Sequence, residues 1–195
     1  MNIGLSNPTA LFYLTPFLSE LRKAYPDIRP NIQVFTYRTI LSMFMENKLD
    51  ILFYYKENMT SKAGILFKEI RQDSFVCLLP AGHPFESKER LSIKDLEDEP
   101  IVVCNPLNAP LSTASFQKQL LEHHSPHTIF YCDSVEIAHC MVSAGMGVSI
   151  LPSILCLKAP EFSAVPLEDK THISFGVFYH KQNTNTTLKT LLNLI

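Results

Sequence analysis

Short polar turns follow several apolar, strand-like segments of this sequence, and they carry the side chains best suited to binding a small polar molecule. Hydroxyl and amide groups donate and accept hydrogen bonds, and an arginine pairs with a carboxylate or phosphate through two parallel bonds. In open α/β sheets, ligands bind beyond the carboxyl ends of the strands, where such turns lie. The residues that we select on this ground are Ser6, Asn7, Thr9, Arg38, Asn105 and Ser134.

The same turns also begin predicted helices, so two interpretations of these residues stay open. Ser, Thr and Asn are common helix caps, and capping alone explains any single position. A helix N-terminus, however, presents unpaired N–H groups and a partial positive charge. Several such ends meeting in one cleft favour a site for a carboxylate, phosphate or sulfate, to which Arg38 adds a full charge. Tyr37, Tyr54 and Tyr55 equally suit an aromatic acid.

No enzyme motif accompanies these turns. The sequence has no GxSxG, P-loop, HExxH or GxGxxG pattern, so we predict that the protein is not an enzyme and uses no cofactor. His123, His124 and His127 cluster at a predicted helix end, where histidines are favoured by the helix dipole. Ser125-Pro126 interrupts their spacing, and we therefore expect no metal site.

The cysteines are widely spaced and odd in number: Cys77, Cys104, Cys132, Cys140 and Cys156. Without a CxxC motif, this pattern favours reduced thiols of a cytoplasmic protein over a disulfide framework. We take Cys132 and Cys140 as the nearest pair. Cys132 would end a strand and Cys140 would lie two turns into a helix, so we expect their Cα atoms to be farther apart than the limit of about 7 Å for a disulfide. His139 and Cys140 are adjacent on a predicted helix and point apart, which argues against a catalytic pair. We expect these cysteines to be packing residues.

Composition bounds the class of protein. With 195 residues, of which 46% are apolar and 18% charged, the chain is long enough for one large domain or two small lobes. The net charge is −2 and Lys and Arg are scattered, so these residues show no surface for nucleic acid. No apolar run approaches the roughly 20 residues that cross a bilayer, and no secretory signal is visible at the N-terminus.

Hydrophobic periodicity predicts two successive β-α-β-α-β patterns, which are typical of mostly parallel sheets covered by helices. The strands of the first are Asn2–Leu5, Ile32–Phe35 and Ile51–Tyr54, with helices over Leu11–Tyr25 and Arg38–Lys48. Two more strands, Ile65–Ile70 and Phe75–Leu79, precede the second pattern. Its strands are Ile101–Cys104, Thr128–Tyr131 and Val148–Leu151, with helices over Ser112–His124 and Ser134–Ala144. A strand over Ile173–Tyr179 and a helix over Thr186–Ile195 complete the prediction.

The stretch from Asp133-Ser134 to Gly145-Met146-Gly147-Val148 and Leu151-Pro152 resembles a motif of LysR-type transcription regulators. There, D-S opens a helix that ends in V-x-x-G-x-G-V-x-x-L-P. Other segments follow in the family's order across nearly the whole chain. They are Asn2-Ile3-Gly4, Leu14-Thr15-Pro16 with Tyr25-Pro26, Asn47-Lys48-Leu49-Asp50 with Asn for the usual Gly, Leu79-Pro80 with His83-Pro84, Asp95-Leu96 with Pro100, and Pro166-Leu167. The chain is thus similar to the effector-binding domain of that family.

The resemblance implies an α/β fold of two Rossmann-like lobes joined by crossover strands, similar to type 2 periplasmic binding proteins. Lobe one would hold residues 1–74 and 176–195, and lobe two residues 75–175. The effector would lie in the cleft between them, where Tyr54 joins the residues selected above: Ser6, Asn7, Thr9, Arg38, Asn105 and Ser134. Closure of the lobes around a small effector would then be the regulatory signal.

The resemblance also implies partners. Such domains often dimerise side by side and antiparallel, so that the helix Leu11–Tyr25 would meet the partner's helix Ser134–Ala144. DNA would be bound only by an N-terminal helix-turn-helix domain that is absent from this chain. Two rival functions stay open: a transport-type solute-binding protein of the same fold, and an enzyme built on it.

Overall fold

The computed structural model describes residues 1–59, 63–105, 111–169 and 171–194. The chain divides into two units, of which the first contains Met1–Gln72 with Ser174–Ile195 and the second contains Asp73–Ile173. The strands are β1 (Asn2–Leu5), β2 (Asn31–Val34), β3 (Ile51–Tyr55), β4 (Ile65–Asp73), β5 (Phe75–Pro80), β6 (Ile101–Cys104), β7 (Ile129–Cys132), β8 (Ser149–Pro152), β9 (Phe162–Pro166) and β10 (Ile173–His180). The helices are α1 (Leu11–Ala24), α2 (Tyr37–Met45), α3 (Leu111–His123), α4 (Val135–Ser143) and α5 (Thr186–Leu194).

The sheet of the first unit has the strand order β2-β1-β3-β10-β4. β1 runs parallel to both β2 and β3, as the alternation of strand and helix predicts, whereas β10 pairs with β3 antiparallel. β10 enters this sheet only after the chain has built the whole second unit, so the short-range β-α-β pattern does not set its direction. Every residue of β3 is buried, as expected for a strand in the middle of a covered sheet.

The second unit contains one antiparallel and one parallel group of strands. β5 lies between β8 and β9 and is antiparallel to both, while β6 and β7 pair in parallel. A parallel bridge between Ile101 and Val148 connects the two groups. The sequence analysis did not predict β9, because Phe162–Pro166 has neither a continuous apolar run nor clear alternation.

Apolar spacing located the helices, and their ends differ from the prediction by at most three residues. α1 begins at Leu11, after a 3-10 turn over Pro8–Ala10, and Pro16 lies inside it. α2 ends at Met45, where Lys48 was predicted, and Asn47, which stands where the family usually has Gly, takes a left-handed conformation with φ +57°. The predicted end of the last helix at Ile195 lies outside the described residues.

The cores explain why these helices lie on their sheets. In the first unit, Ile40 and Phe44 of α2 are fully buried, and Phe44 stacks on His180 with 4.5 Å between the ring centroids. Leu41 and Met45 of the same helix are half-buried at the margin of this cluster. Among the described helices, none has both the length and the apolar character needed to cross a membrane.

Candidate functional site

Several of the residues selected from the sequence lie at one edge of the sheet of the first unit. Leu5 of β1 pairs with Val34 of β2 on one side and with Phe53 of β3 on the other, so β1 and β2 end in register and β3 continues for two residues, to Tyr55. The turns that follow parallel strands therefore lie at the same edge. We call this group the first polar edge; it consists of Ser6, Asn7, Thr9, Arg38 and Tyr54.

The turn after β1 is held by the side chain of Asn7. Its Oδ1 atom accepts a hydrogen bond from the backbone N–H of Thr9 at 2.7 Å, with Pro8 at the first position of the 3-10 turn. Asn7 is therefore a cap, but of the 3-10 turn that precedes α1, and α1 itself begins without a side-chain cap. The Thr9 side chain is buried, whereas Ser6 and Asn7 are half-buried. Because the cap uses only the oxygen of Asn7, the Nδ2 donors are not needed for it.

The start of α2 presents a positive end without a side-chain cap. Thr36 precedes the helix, but its side chain makes no capping hydrogen bond and lies 3.0 Å from the Thr39 hydroxyl instead. Arg38 lies in this first turn and is exposed. The N–H groups of the turn and the guanidinium group are thus on the same end of the helix, which suits an anion.

Tyr54 contributes a buried hydroxyl group to this edge. Its side chain is 1% exposed and packs in the cluster that contains Ile40 and Phe44, with the Tyr37 ring 4.9 Å away between centroids. Among the described residues, no partner makes a hydrogen bond of normal geometry with the Tyr54 hydroxyl. Burial raises the pKa of both phenols, and the nearby Glu57 carboxylate also raises that of Tyr37. Tyr54 can therefore meet a ligand only through a neutral O–H group.

The second unit has a corresponding edge at the carboxyl ends of β6 and β7. Cys104 and Cys132 are register partners, and the backbone N–H of Asn105 donates to the carbonyl oxygen of Cys132 at 2.8 Å. Ser134 follows and caps α4, since its hydroxyl oxygen accepts from the N–H of Ile137 at 3.3 Å. We call Asn105 and Ser134 the second polar edge; both are half-buried.

A buried glutamine anchors the end of β6, and sequence reasoning did not find it. With its amide oriented to satisfy both contacts, Gln117 of α3 donates to the carbonyl oxygen of Cys104 at 2.8 Å and accepts from its N–H at 3.1 Å. A glutamine within a polar helical sequence gives no sign of such a role. The contact sets the position of α3 relative to the strand that leads into Asn105.

The pairing of the cysteines corrects the sequence analysis. Cys132 does not have Cys140 as its nearest cysteine: its sulfur lies 3.5 Å from that of Cys104. The parallel register of β6 and β7 places the two side chains opposite one another, on the same face of the strand pair. Both thiols are buried, whereas Cys140 is exposed on α4.

The histidines have structural partners. The ring nitrogens of His124 face carbonyl oxygens, with Nδ1 2.6 Å from that of Leu120 and Nε2 2.8 Å from that of Leu96. His139 binds the Val135 carbonyl oxygen through Nδ1 at 2.8 Å, and burial lowers its pKa. Among the described residues, no group of three metal-ligating side chains is found.

The fold is that of regulatory effector-binding domains, which have a type 2 periplasmic-binding-protein-like architecture. The reduced OxyR regulatory domain from Pseudomonas aeruginosa matches with a TM-score of 0.76 and 18% identity, over 100% of this chain and 93% of that one. The BenM effector-binding domain with its effector benzoate matches with a TM-score of 0.74 and 22% identity, over 99% of this chain and 90% of that one. At this level of identity the likeness shows the fold, and it agrees with the fold class predicted from the sequence.

The family model of the LysR substrate binding domain matches residues 1–195, so the chain belongs to this family. Its curated relatives are transcriptional regulators rather than enzymes. The HTH-type regulator TtuA from Agrobacterium vitis is 24% identical over 156 residues, which is 78% of this chain and 50% of that protein. AlsR from Bacillus subtilis is 24% identical over 153 residues, 77% of this chain and 50% of that protein. The chain thus spans about half the length of the curated relatives that it matches.

Proposed function

We propose that this domain senses a small anionic effector, held between the first polar edge and the second polar edge. Two observations support the proposal: within each unit, polar turns gather at the carboxyl edge of parallel strands, and the LysR family model covers the whole chain. The effector would favour one relative arrangement of the two units, which requires it to bind that arrangement more tightly than the others.

The charges near the two polar edges indicate which part of the effector would bind at each edge. Arg38 and the uncapped start of α2 favour an anionic group at the first polar edge. Near the second polar edge, the carboxylates of Asp133 and Glu136 lie beside Ser134 in the sequence, and negative charge there disfavours an anion. In our proposal the effector's anionic group meets Arg38, and its neutral polar atoms meet Asn105 and Ser134.

A planar acid is one form of effector that fits this division. Tyr37 is half-buried, packs on the ring of Tyr54 and directly precedes Arg38, so it can offer an aromatic face beside the guanidinium group. The structural relative BenM carries benzoate, an aromatic carboxylate, as its effector. Benzoate-like acids, amino acids and inorganic anions are therefore the first compounds to test.

Arg38→Ala is expected to weaken the binding of an anionic effector by roughly 10- to 100-fold, because a hydrogen bond to a charged group contributes about 1.5–3 kcal/mol. Isothermal titration calorimetry against a panel of small carboxylates and inorganic anions measures the dissociation constant. Arg29→Ala is the matched control, since Arg29 is also exposed but precedes β2, at the amino end of that strand. Equal affinities in Arg38→Ala and the unchanged chain, or no binding by any anion, would contradict the proposal.

We further propose a homodimer in which α1 of one protomer packs on α4 of its partner. Phe12 on α1 is 69% exposed and Ile137 on α4 is 45% exposed, and exposed apolar side chains on these helices suit a protein interface. The proposal follows the side-by-side antiparallel arrangement implied by the resemblance to the family.

Phe12→Glu is expected to raise the dimer dissociation constant by about 30-fold or more, because a buried aromatic residue at an interface contributes about 2 kcal/mol or more. Sedimentation equilibrium over a range of concentrations measures this constant. Leu66→Glu makes a similar change at a side chain of β4 that is 40% exposed and lies on neither helix, and it should leave the constant unchanged. A dimer that Phe12→Glu leaves intact would show that the interface lies elsewhere.

In the whole protein, we propose that effector binding controls transcription and that a helix-turn-helix segment outside these residues contacts DNA. The curated relatives are HTH-type regulators about twice as long as this chain, which supports the proposal and favours it over a transport-type solute-binding protein. A cytoplasmic location follows from the same proposal. Expression of the longer gene product and a DNA-binding assay with and without effector would test it.

A further inference from the structure

The second unit contains a pair of buried thiols that the proposed effector site does not use. The sulfur atoms of Cys104 and Cys132 are 3.5 Å apart. The residues are register partners on parallel strands, whose spacing of about 4.8 Å lies within the range of Cα separations that a disulfide spans. Their side chains point to the same face, so a bond requires only that the sulfurs approach by about 1.5 Å.

We propose that Cys104 and Cys132 form a reversible dithiol–disulfide site, oxidised by a small hydroperoxide. A disulfide between these residues would have to fit the fixed spacing of two paired strands, and any departure from its preferred geometry makes it easier to reduce. The site is therefore a reversible one rather than a permanent cross-link.

The surroundings of the two thiols shift their pKa values in opposite directions. The contact with the Cys104 thiol lowers the pKa of Cys132, against the effects of burial and of the Asp133 and Glu136 carboxylates, and the backbone N–H of Ser134 lowers it further. The pKa of Cys104 is raised by the same contact and by burial. Burial also raises the pKa of Cys77, and it raises that of Cys156 to about 11. Because the thiolate is the nucleophile, Cys132 reacts first and Cys104 second.

The chemistry balances with hydrogen peroxide as the oxidant. The Cys132 thiolate attacks one peroxide oxygen, so that an S–O bond forms, the O–O bond breaks, and the departing hydroxide takes up a proton to give water. The Cys104 thiol then loses its proton and attacks the sulfur of this sulfenic acid, which forms the S–S bond and releases a second water. Two thiols are oxidised by two electrons, and one peroxide is reduced to two waters.

Burial restricts the oxidant. Both thiols are buried in the strand pair, so a compact peroxide reaches them more readily than a bulky disulfide, which must align three sulfur atoms in the attack. The site is also placed to affect ligand binding, since Asn105 and Ser134 directly follow the two strands. This last consequence rests on the proposed function, whereas the oxidation itself does not.

The test uses the purified chain carrying Cys140→Ser, which removes the exposed thiol and leaves the pair intact. After treatment with hydrogen peroxide, alkylation of free thiols and mass spectrometry should show the loss of two thiols per chain and a linked peptide joining Cys104 to Cys132. Dithiothreitol should restore both thiols. A bulky disulfide at the same concentration should oxidise the pair at least about 10-fold more slowly.

Two further variants assign the roles in the same Cys140→Ser background. Cys104→Ser should stop at a Cys132 sulfenic acid that a dimedone probe traps, and Cys132→Ser should lose the rapid reaction. Cys77→Ser serves as the control and should still form the linked peptide. Peroxide treatment that leaves both thiols free, or that oxidises Cys77 or Cys156 before the pair, overturns the proposal. Calorimetry with the anion panel on the oxidised and reduced chains tests the effect on binding separately, so a failure of the proposed effector site leaves the oxidation result intact.

Discussion

Gly147→Ala is expected to destabilise the second unit by about 4 kcal/mol or more, the size of effect that a forced backbone displacement produces. A Cβ atom at this position would lie 2.3 Å from the carbonyl oxygen of Pro100, and the φ of Gly147, +155°, is one that other residues rarely adopt. Val148 donates to that same oxygen at 2.8 Å, so the displacement would also break the bridge between Val148 and β6. Chemical denaturation monitored by circular dichroism measures the loss.

Gly145→Ala is the matched control two residues earlier. Gly145 also has a positive φ, +74°, but no atom lies within 4 Å of the added Cβ. Its substitution should cost only the conformational term, about 1–2 kcal/mol. Gly145 thus follows the end of α4 in a left-handed conformation, whereas Gly147 allows close approach of the backbone at Pro100. Equal losses in the two variants would show that the contact with Pro100 is not the cause.

Phe44→Ala is expected to destabilise the first unit by about 3–5 kcal/mol, the usual loss for a buried aromatic residue. The side chain is fully buried, packs among the residues around Tyr54, and stacks on His180. Its removal leaves a cavity beside the sheet. The sheet can fill this cavity only partly, because the pairing of its strands fixes their positions. Urea denaturation with separate probes for the two units measures the change, because two units need not unfold together.

Met45→Ala serves as the control on the same helix, since it changes helix propensity by a similarly small amount. Met45 is half-buried at the margin of the cluster, so Met45→Ala should lower the free energy of unfolding clearly less than Phe44→Ala does. A loss for Phe44→Ala no larger than that for Met45→Ala would mean that this cluster does not stabilise the first unit.

Local patterns in the sequence located most elements of the fold. The spacing of Leu14, Leu21, Ile40 and Phe44 predicted the buried faces of two helices, because helical periodicity depends only on neighbours along the chain. Asn7 and Ser134 were predictable as caps for the same reason. The motif segments then supplied the family, which the match over the whole chain confirms.

The features that the sequence analysis did not predict depend on contacts between segments that are far apart along the chain. Cys104 and Cys132 are 28 positions apart, and only the register of β6 and β7 places them together. The anchoring of β6 by Gln117 and the antiparallel direction of β10 likewise depend on tertiary packing. The burial of Tyr54 differs in kind: the apolar run of β3 indicated a covered strand, but not that a phenol would lie within it against the ring of Tyr37.

The outer strands of the two units differ in how they are protected. β2, at the edge of the first sheet, alternates polar Asn31 and Gln33 with apolar residues and follows Pro30. β7, the outer strand of its pair among the described residues, reads Ile-Phe-Tyr-Cys and has an exposed Tyr131. A bare apolar edge offers its backbone hydrogen bonds to any other chain, which is the usual route to aggregation. Charged side chains introduced on β7 would therefore be the first change to make if the domain precipitates on concentration, whereas β2 needs none.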